Sequence, residues 1–131
     1  MEKSISEEVA LEFVERINGR NADGLSELMT EDFVFVDYEG ETYQGRDVMR
    51  EGFAEYFENF PEYKIHVERV CVSGGDVALV AKTTGSHVPP ELERDEILVF
   101  LAMISNGLVT QWRIYTDLEH VKERLRKKDT D

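Results

Sequence analysis

Hydrophobic positions along the chain change period part-way through. Val9, Ala10, Phe13, Val14 and Ile17 follow one another at helical spacing, and Ser4 with Glu7 has the spacing of a capping box. Asn18-Gly19 stops that helix, and Asp23 opens a shorter one carrying Leu25, Leu28 and Met29. Phe33 to Tyr38 then alternates as a strand, Glu39-Gly40 reads as a turn, and Thr42-Tyr43-Gln44 as a short partner strand. A third helix is predicted from about Asp47 to Pro61, with Met49, Phe53, Tyr56, Phe57 and Phe60 on one face.

Beyond Pro61 the pattern is that of strands. Tyr63–Ser73 and Val77–Thr84 flank a Gly74-Gly75-Asp76 turn, and Pro89-Pro90 marks an exposed loop. Ile97–Ile104 is apolar on both faces, and Asn106-Gly107 predicts a type I′ hairpin turn into Leu108–Thr116. A last helix with Leu118, Val121 and Leu125 and a polar tail would occupy residues 118–131. Helices first and a meander afterwards predict an α+β fold: one curved, mainly antiparallel sheet with three to four helices on its concave face. Strand parity puts Val99, Leu101 and Met103, with Val80 beside them, on the opposite face. No helix remains to cover them, so a homodimer through the sheet is expected.

Length and charge narrow the function. With 131 residues and no repeat or low-complexity tract, the chain reads as a single domain over residues 1–131. No apolar run reaches the ~18–20 residues of a membrane span, and no secretory signal is legible, so a cytoplasmic location is expected. The net charge is −13, concentrated in residues 1–62, which hold 17 acidic and 5 basic residues. Such a front half repels phosphate backbones and anionic lipid, so neither nucleic acid nor membrane is expected as a partner. Cys71 is the only cysteine and reads as a small buried apolar residue. His66, His87 and His120 lie at no ligand-like spacing, and neither a metal site nor a cofactor motif is predicted.

The segments Phe13–Asp23, Leu28–Asp37, Tyr43–Arg46, Pro61–Tyr63, Thr84–His87 and Asn106–Asp117, in that order, resemble SnoaL-like proteins over nearly the whole chain. That family lies in the nuclear transport factor 2-like superfamily, beside ketosteroid isomerase and limonene epoxide hydrolase. The resemblance implies a cone-shaped half-barrel with a deep pocket, mostly dimeric through the sheet. It implies no single activity, because the members include cyclases, isomerases, hydrolases, dehydratases and binders without catalysis.

Residue by residue, the resemblance sets Asp37 where ketosteroid isomerases carry their general base. Their oxyanion-hole tyrosine falls at Phe13 and their second aspartate near Phe100, so the donors that chemistry needs are missing. The aspartate of the cyclases and epoxide hydrolases falls at Ile114, and the cyclase histidine again near Phe100. The remaining polar candidates are Asp37 as general acid or base and His87 as its proton partner. Thr83, Trp112, Tyr43 and Tyr56 are candidate ligand contacts, with Phe13, Phe35, Phe53, Phe57, Phe100 and Ile114 as an apolar lining. Each has a plainer reading: Asp37 as a strand-end residue bonding nearby backbone, His87 as a loop anchor, Trp112 as core. Two functions stay open. One is a domain binding a small, largely apolar molecule, which the missing partners favour. The other is an isomerase, cyclase or hydrolase acting through Asp37 on a carbonyl or epoxide compound.

Overall fold

A computed structural model describes residues 4–117. Helix α1 spans Ile5–Asn18; the Ser4 hydroxyl accepts the Glu7 N–H at 3.1 Å, and Ala10, Phe13, Val14 and Ile17 are buried. Helix α2, Ala22–Glu27, is capped by Asn21, whose side chain accepts the Gly24 N–H. Strands β1 (Met29–Val36) and β2 (Thr42–Gln44) lead into α3, Arg46–Asn59. The rest is β3 (Lys64–Ser73), β4 (Asp76–Thr84), the one-turn helix α4 (Pro90–Glu93), β5 (Leu98–Ser105) and β6 (Leu108–Thr116). The helix expected over residues 118–131 lies outside the described residues.

The six strands form one sheet in the order β2-β1-β6-β5-β4-β3, with every neighbouring pair antiparallel except β1 with β6. This is the α+β architecture expected from the sequence. Helix α1 lies across β3 to β6 and α3 across β1 and β2. Register shifts interrupt β1–β6, β3–β4 and β5–β6. Such bulges bend the strands that carry them, which suits a sheet curved around its helices. At the third of these, Ile104 pairs with Val109 and Met103 with Gln111, so Thr110 is the extra residue. Its hydroxyl donates to the Met103 carbonyl at 3.0 Å.

The concave face carries the core. Val77, Leu79, Ala81 and Thr83 of β4 are buried, as are Leu98, Phe100 and Ala102 of β5, at alternate positions as a pleat requires. The Asn106-Gly107 turn has the two positive φ values, 53° and 77°, of a type I′ hairpin. Three local expectations fail. Leu28 and Met29, expected on the second helix, lie past its end at Glu27, and Met29 opens β1 because it pairs with Val109 of β6. Pro89-Pro90 is no plain loop: Pro90 starts α4, where its missing N–H would be unsatisfied in any case. Cys71 is exposed, because β3 is an edge strand whose outer half stands clear of the helices.

Candidate functional site

Between the two long helices and the concave sheet lies a cavity of about 410 Å³. Phe35 of β1, Phe53 of α3, Phe100 of β5, and Trp112 and Ile114 of β6 form its apolar wall. Tyr43, Tyr56, Thr83, Asp37 and His87 line it as well. Phe13 and Phe57, expected on the wall, lie one layer behind it. Phe13 is wholly buried where α1 sits on the sheet, its ring 4.5 Å from Trp112 and 6.1 Å from Phe33 and Phe53. Phe57 packs behind Phe53 at 5.9 Å. Tyr43, on the short strand β2, remains 42% exposed. Its hydroxyl pKa is raised by desolvation first, then by the Asp37 and Glu41 carboxylates.

Asp37 follows the last residue of β1 and holds the turn into β2. Its Oδ1 accepts the backbone N–H groups of Glu39 and Glu41, both at 2.9 Å. The Asp37 N–H donates to the Glu41 carbonyl, and the Gly40 N–H donates to the carbonyl of Asp37. Asp37→Asn keeps Oδ1 and should leave the melting temperature within about 2 °C of wild type. Asp37→Ala strands two N–H groups and should cost about 1–2 kcal/mol in denaturant unfolding. Equal losses in the two variants would show that the turn does not depend on that oxygen.

Instead of an Asp37–His87 pair, the structure joins His87 to two tyrosines. The Tyr38 hydroxyl lies 2.6 Å from His87 Nε2, with the two rings nearly parallel. The Tyr56 hydroxyl lies 2.9 Å from Nδ1 and accepts the backbone N–H of His87 at 3.2 Å. Burial pushes the Tyr56 pKa up to about 12, against a lowering by that backbone N–H, with smaller raising effects of Tyr38, Glu93 and Glu96. Tyr63, with its ring edge-on to Tyr56 at 5.0 Å, also lines the cavity; burial raises its hydroxyl well above the ordinary tyrosine value.

Asp37 is not alone among carboxylates here: Glu39 and Glu96 also line the cavity. Glu96 is 2% exposed, and its Oε2 accepts the Thr116 hydroxyl at 2.6 Å. Glu93 is buried too, accepting the Thr83 hydroxyl at 2.9 Å and the Ser86 N–H at 3.1 Å. Sequence reading passed over Tyr38, Tyr63, Glu93 and Glu96. The acids stand in a charged stretch that looks solvated, and Tyr38 has the wrong parity for the inner face. Tyr38 comes inward because β1 has ended at Val36 and the Asp37 turn redirects the chain. The one available signal was Pro at the start of α4, which marks a helical turn able to fold Glu93 back toward β4. Among the described residues no three His, Cys, Asp or Glu side chains gather to hold a metal ion, and no helix is long and apolar enough to cross a membrane.

The profile of the SnoaL-like domain matches residues 10–113. The chain belongs to the SnoaL-like family. Solved structures agree on the fold of this SnoaL-like domain. A protein from Jannaschia sp. CCS1, provisionally named a SnoaL-like polyketide cyclase, is 26% identical, with 95% of this chain and 96% of that chain covered and a TM-score of 0.71. A second one so named, from Shewanella denitrificans OS-217, is 16% identical over 95% of this chain and 99% of that chain, with a TM-score of 0.76. An NTF2-like protein of unknown function from Cytophaga hutchinsonii ATCC 33406 is 19% identical over 89% of this chain and 95% of that chain, with a TM-score of 0.70. No curated protein matches the sequence. Within this SnoaL-like domain, the positions where the resemblance would set a cyclase's histidine and aspartate are the carbon walls of Phe100 and Ile114.

Proposed function

We propose that this SnoaL-like domain binds one small, largely apolar molecule in its interior cavity. The observation that carries this reading is the cavity itself: about 410 Å³, walled by Phe35, Phe53, Phe100, Trp112 and Ile114. Volume and lining both fall within the usual range for small-molecule sites. Trp112 is the only tryptophan and faces the cavity, so its emission reports occupancy. Mass spectrometry of small molecules carried by the purified protein supplies candidates. Titration of each should change Trp112 emission and raise the melting temperature. Ile114→Phe fills part of the space and should weaken binding at least about tenfold. Unchanged affinity in that variant would sink the reading.

The alternative is an isomerase, cyclase or hydrolase acting on a carbonyl or epoxide compound, with Asp37 as general acid or base. It is the weaker reading, because Asp37 Oδ1 already accepts two N–H groups of its own turn. Turnover of any bound compound, abolished in Asp37→Asn, would restore it.

For the partner we propose a second copy of this chain on the convex sheet face. Val80, Val99 and Leu101 are only half-buried there, and Met103 is 36% exposed. Leaving such side chains wet forgoes roughly 1.5–3 kcal/mol for each that could be fully buried. Light scattering at micromolar concentration should give twice the chain mass of 15.1 kDa, and Leu101→Asp should halve it. A wild-type monomer counts against the proposal.

A further inference from the structure

Tyr63 stands between α3 and β3 with its backbone tied on both sides. Its N–H donates to the Phe60 carbonyl at 3.1 Å, and its own carbonyl accepts Arg20 Nη1 at 3.1 Å. The ring is set edge-on to that of Tyr56, with centroids 5.0 Å apart, and it lines the cavity. The protein thus fixes the ring but leaves the hydroxyl unengaged: among the described residues, no hydrogen bond reaches that oxygen. Its neighbours on the wall differ. The Tyr56 hydroxyl bonds His87, that of Thr83 donates to Glu93, and that of Ser86 accepts the Val88 N–H. A tyrosine hydroxyl taken out of water ordinarily finds a partner, and one left bare is costly. Burial first, then Tyr56 and the carboxylates of Glu93 and Glu96, keeps this group a phenol rather than a phenolate near neutral pH.

We propose that the Tyr63 hydroxyl is the polar anchor of the ligand site, donating to a neutral oxygen acceptor on an otherwise apolar molecule. This rests on the reading that the cavity holds a small apolar molecule, and it adds the polar group that molecule carries. The phenol takes the donor role because its oxygen shares electron density with the ring, which strengthens the O–H as a donor and weakens the oxygen as an acceptor. Charge decides between a neutral and an anionic acceptor. The Glu93 carboxylate is close enough to act on the Tyr63 hydroxyl, and the Asp37 carboxylate lines the same cavity. A ligand carboxylate or phosphate would meet both negative charges at low dielectric, whereas a ketone, ester or ether oxygen would not.

Three probes on one ring system test this: 2-acetylnaphthalene, 2-isopropenylnaphthalene, in which C=CH2 replaces C=O, and 2-naphthoate. In calorimetric titrations the ketone and the alkene should both bind native protein, and the ketone should bind more tightly than naphthoate. Tyr63→Phe should weaken the ketone about tenfold relative to the alkene, the effect of one lost hydrogen bond with good geometry. A mere change of packing would move both alike. The carbonyl stretch of the ketone bound to native protein should lie at lower wavenumber than in hexane, a readout that needs no variant, and it should return toward the hexane value in Tyr63→Phe. An unchanged ketone-to-alkene ratio, or a stretch that stays low in Tyr63→Phe, overturns the anchor while the cavity reading stands. Naphthoate binding as tightly as the ketone overturns the neutral class. If neither the ketone nor the alkene binds native protein, the anchor and the cavity reading both fall.

Discussion

Gly85→Ala should destabilise the protein by about 3 kcal/mol or more, although the substitution adds a single methyl group. Gly85 follows the last residue of β4 with φ at +71°, where an L-residue already costs about 1–2 kcal/mol. A Cβ built there would lie 2.5 Å from the carbonyl oxygen of Glu62 and 3.0 Å from the backbone nitrogen of Tyr63. These are backbone atoms of the segment leading into β3, so no side chain can rotate out of the way, and overpacking adds about 1–3 kcal/mol. Gly40→Ala is the control. It has φ at +84° with nothing within 4 Å of the new carbon, so it should cost only the conformational part. Thermal unfolding should therefore fall by roughly 10–15 °C in Gly85→Ala and by about a third of that in Gly40→Ala. Similar losses in the two would mean that the backbone around Glu62 yields.

The same close approach explains how the site is assembled. Gly85 lets the chain leaving β4 pass against Glu62 and Tyr63, and two residues later His87 reaches the Tyr38 and Tyr56 hydroxyls. The structural cost of Gly85→Ala should thus extend to the cavity: a small molecule bound there should lose affinity in the fraction that remains folded.

Period and turn chemistry made most of the architecture legible. Ser4, Asn18-Gly19 and Asn106-Gly107 mark boundaries by local hydrogen bonding and backbone conformation, and such signals need no tertiary context. The face of each strand was legible wherever the pleat runs uninterrupted, as at Trp112, Ile114 and Phe100. It ceased to be legible where the pleat ends or slips. Tyr38 lies past the end of β1, so parity no longer governs it, and Val109 shares a buried face with Trp112 only through the bulge at Thr110. Pairing of β1 with β6 in parallel was hidden because the partners lie far apart in sequence and nothing local records their meeting. The apolar stripe of α1 and the aromatic stripe of α3 marked Phe13 and Phe57 as inward. Periodicity cannot separate the wall of a cavity from the layer behind it. Glu93 and Glu96 were hidden for a different reason: a buried carboxylate needs donors, and those of Thr83, Ser86 and Thr116 come from strands and loops that only the fold brings together.

Alkaline pH should unfold the protein earlier than its carboxylates and lysines alone would dictate, because two cavity tyrosines resist ionisation in the folded state. Tyr56 is raised to about 12 and Tyr63 is raised further, in both cases chiefly by burial. Below pH 10 the hydroxyls are protonated in folded and unfolded chains alike, and their contribution to stability is complete. Above pH 10 the unfolded chain releases its tyrosine protons while the folded chain keeps them. The unfolded state then binds fewer protons, so stability falls with rising pH. The slope is about 1.4 kcal/mol per pH unit for each such tyrosine. For Tyr56 the decline levels off near pH 12, after a loss of about 2 kcal/mol for a hydroxyl that keeps some contact with water. Tyr63 continues the decline. Urea unfolding followed from pH 9 to pH 11.5 should show a slope near twice the single-tyrosine value in wild type. Tyr56→Phe and Tyr63→Phe should each remove about half of it, whatever they do to stability at neutral pH. An unaltered slope in both variants would mean that these hydroxyls ionise as readily folded as unfolded.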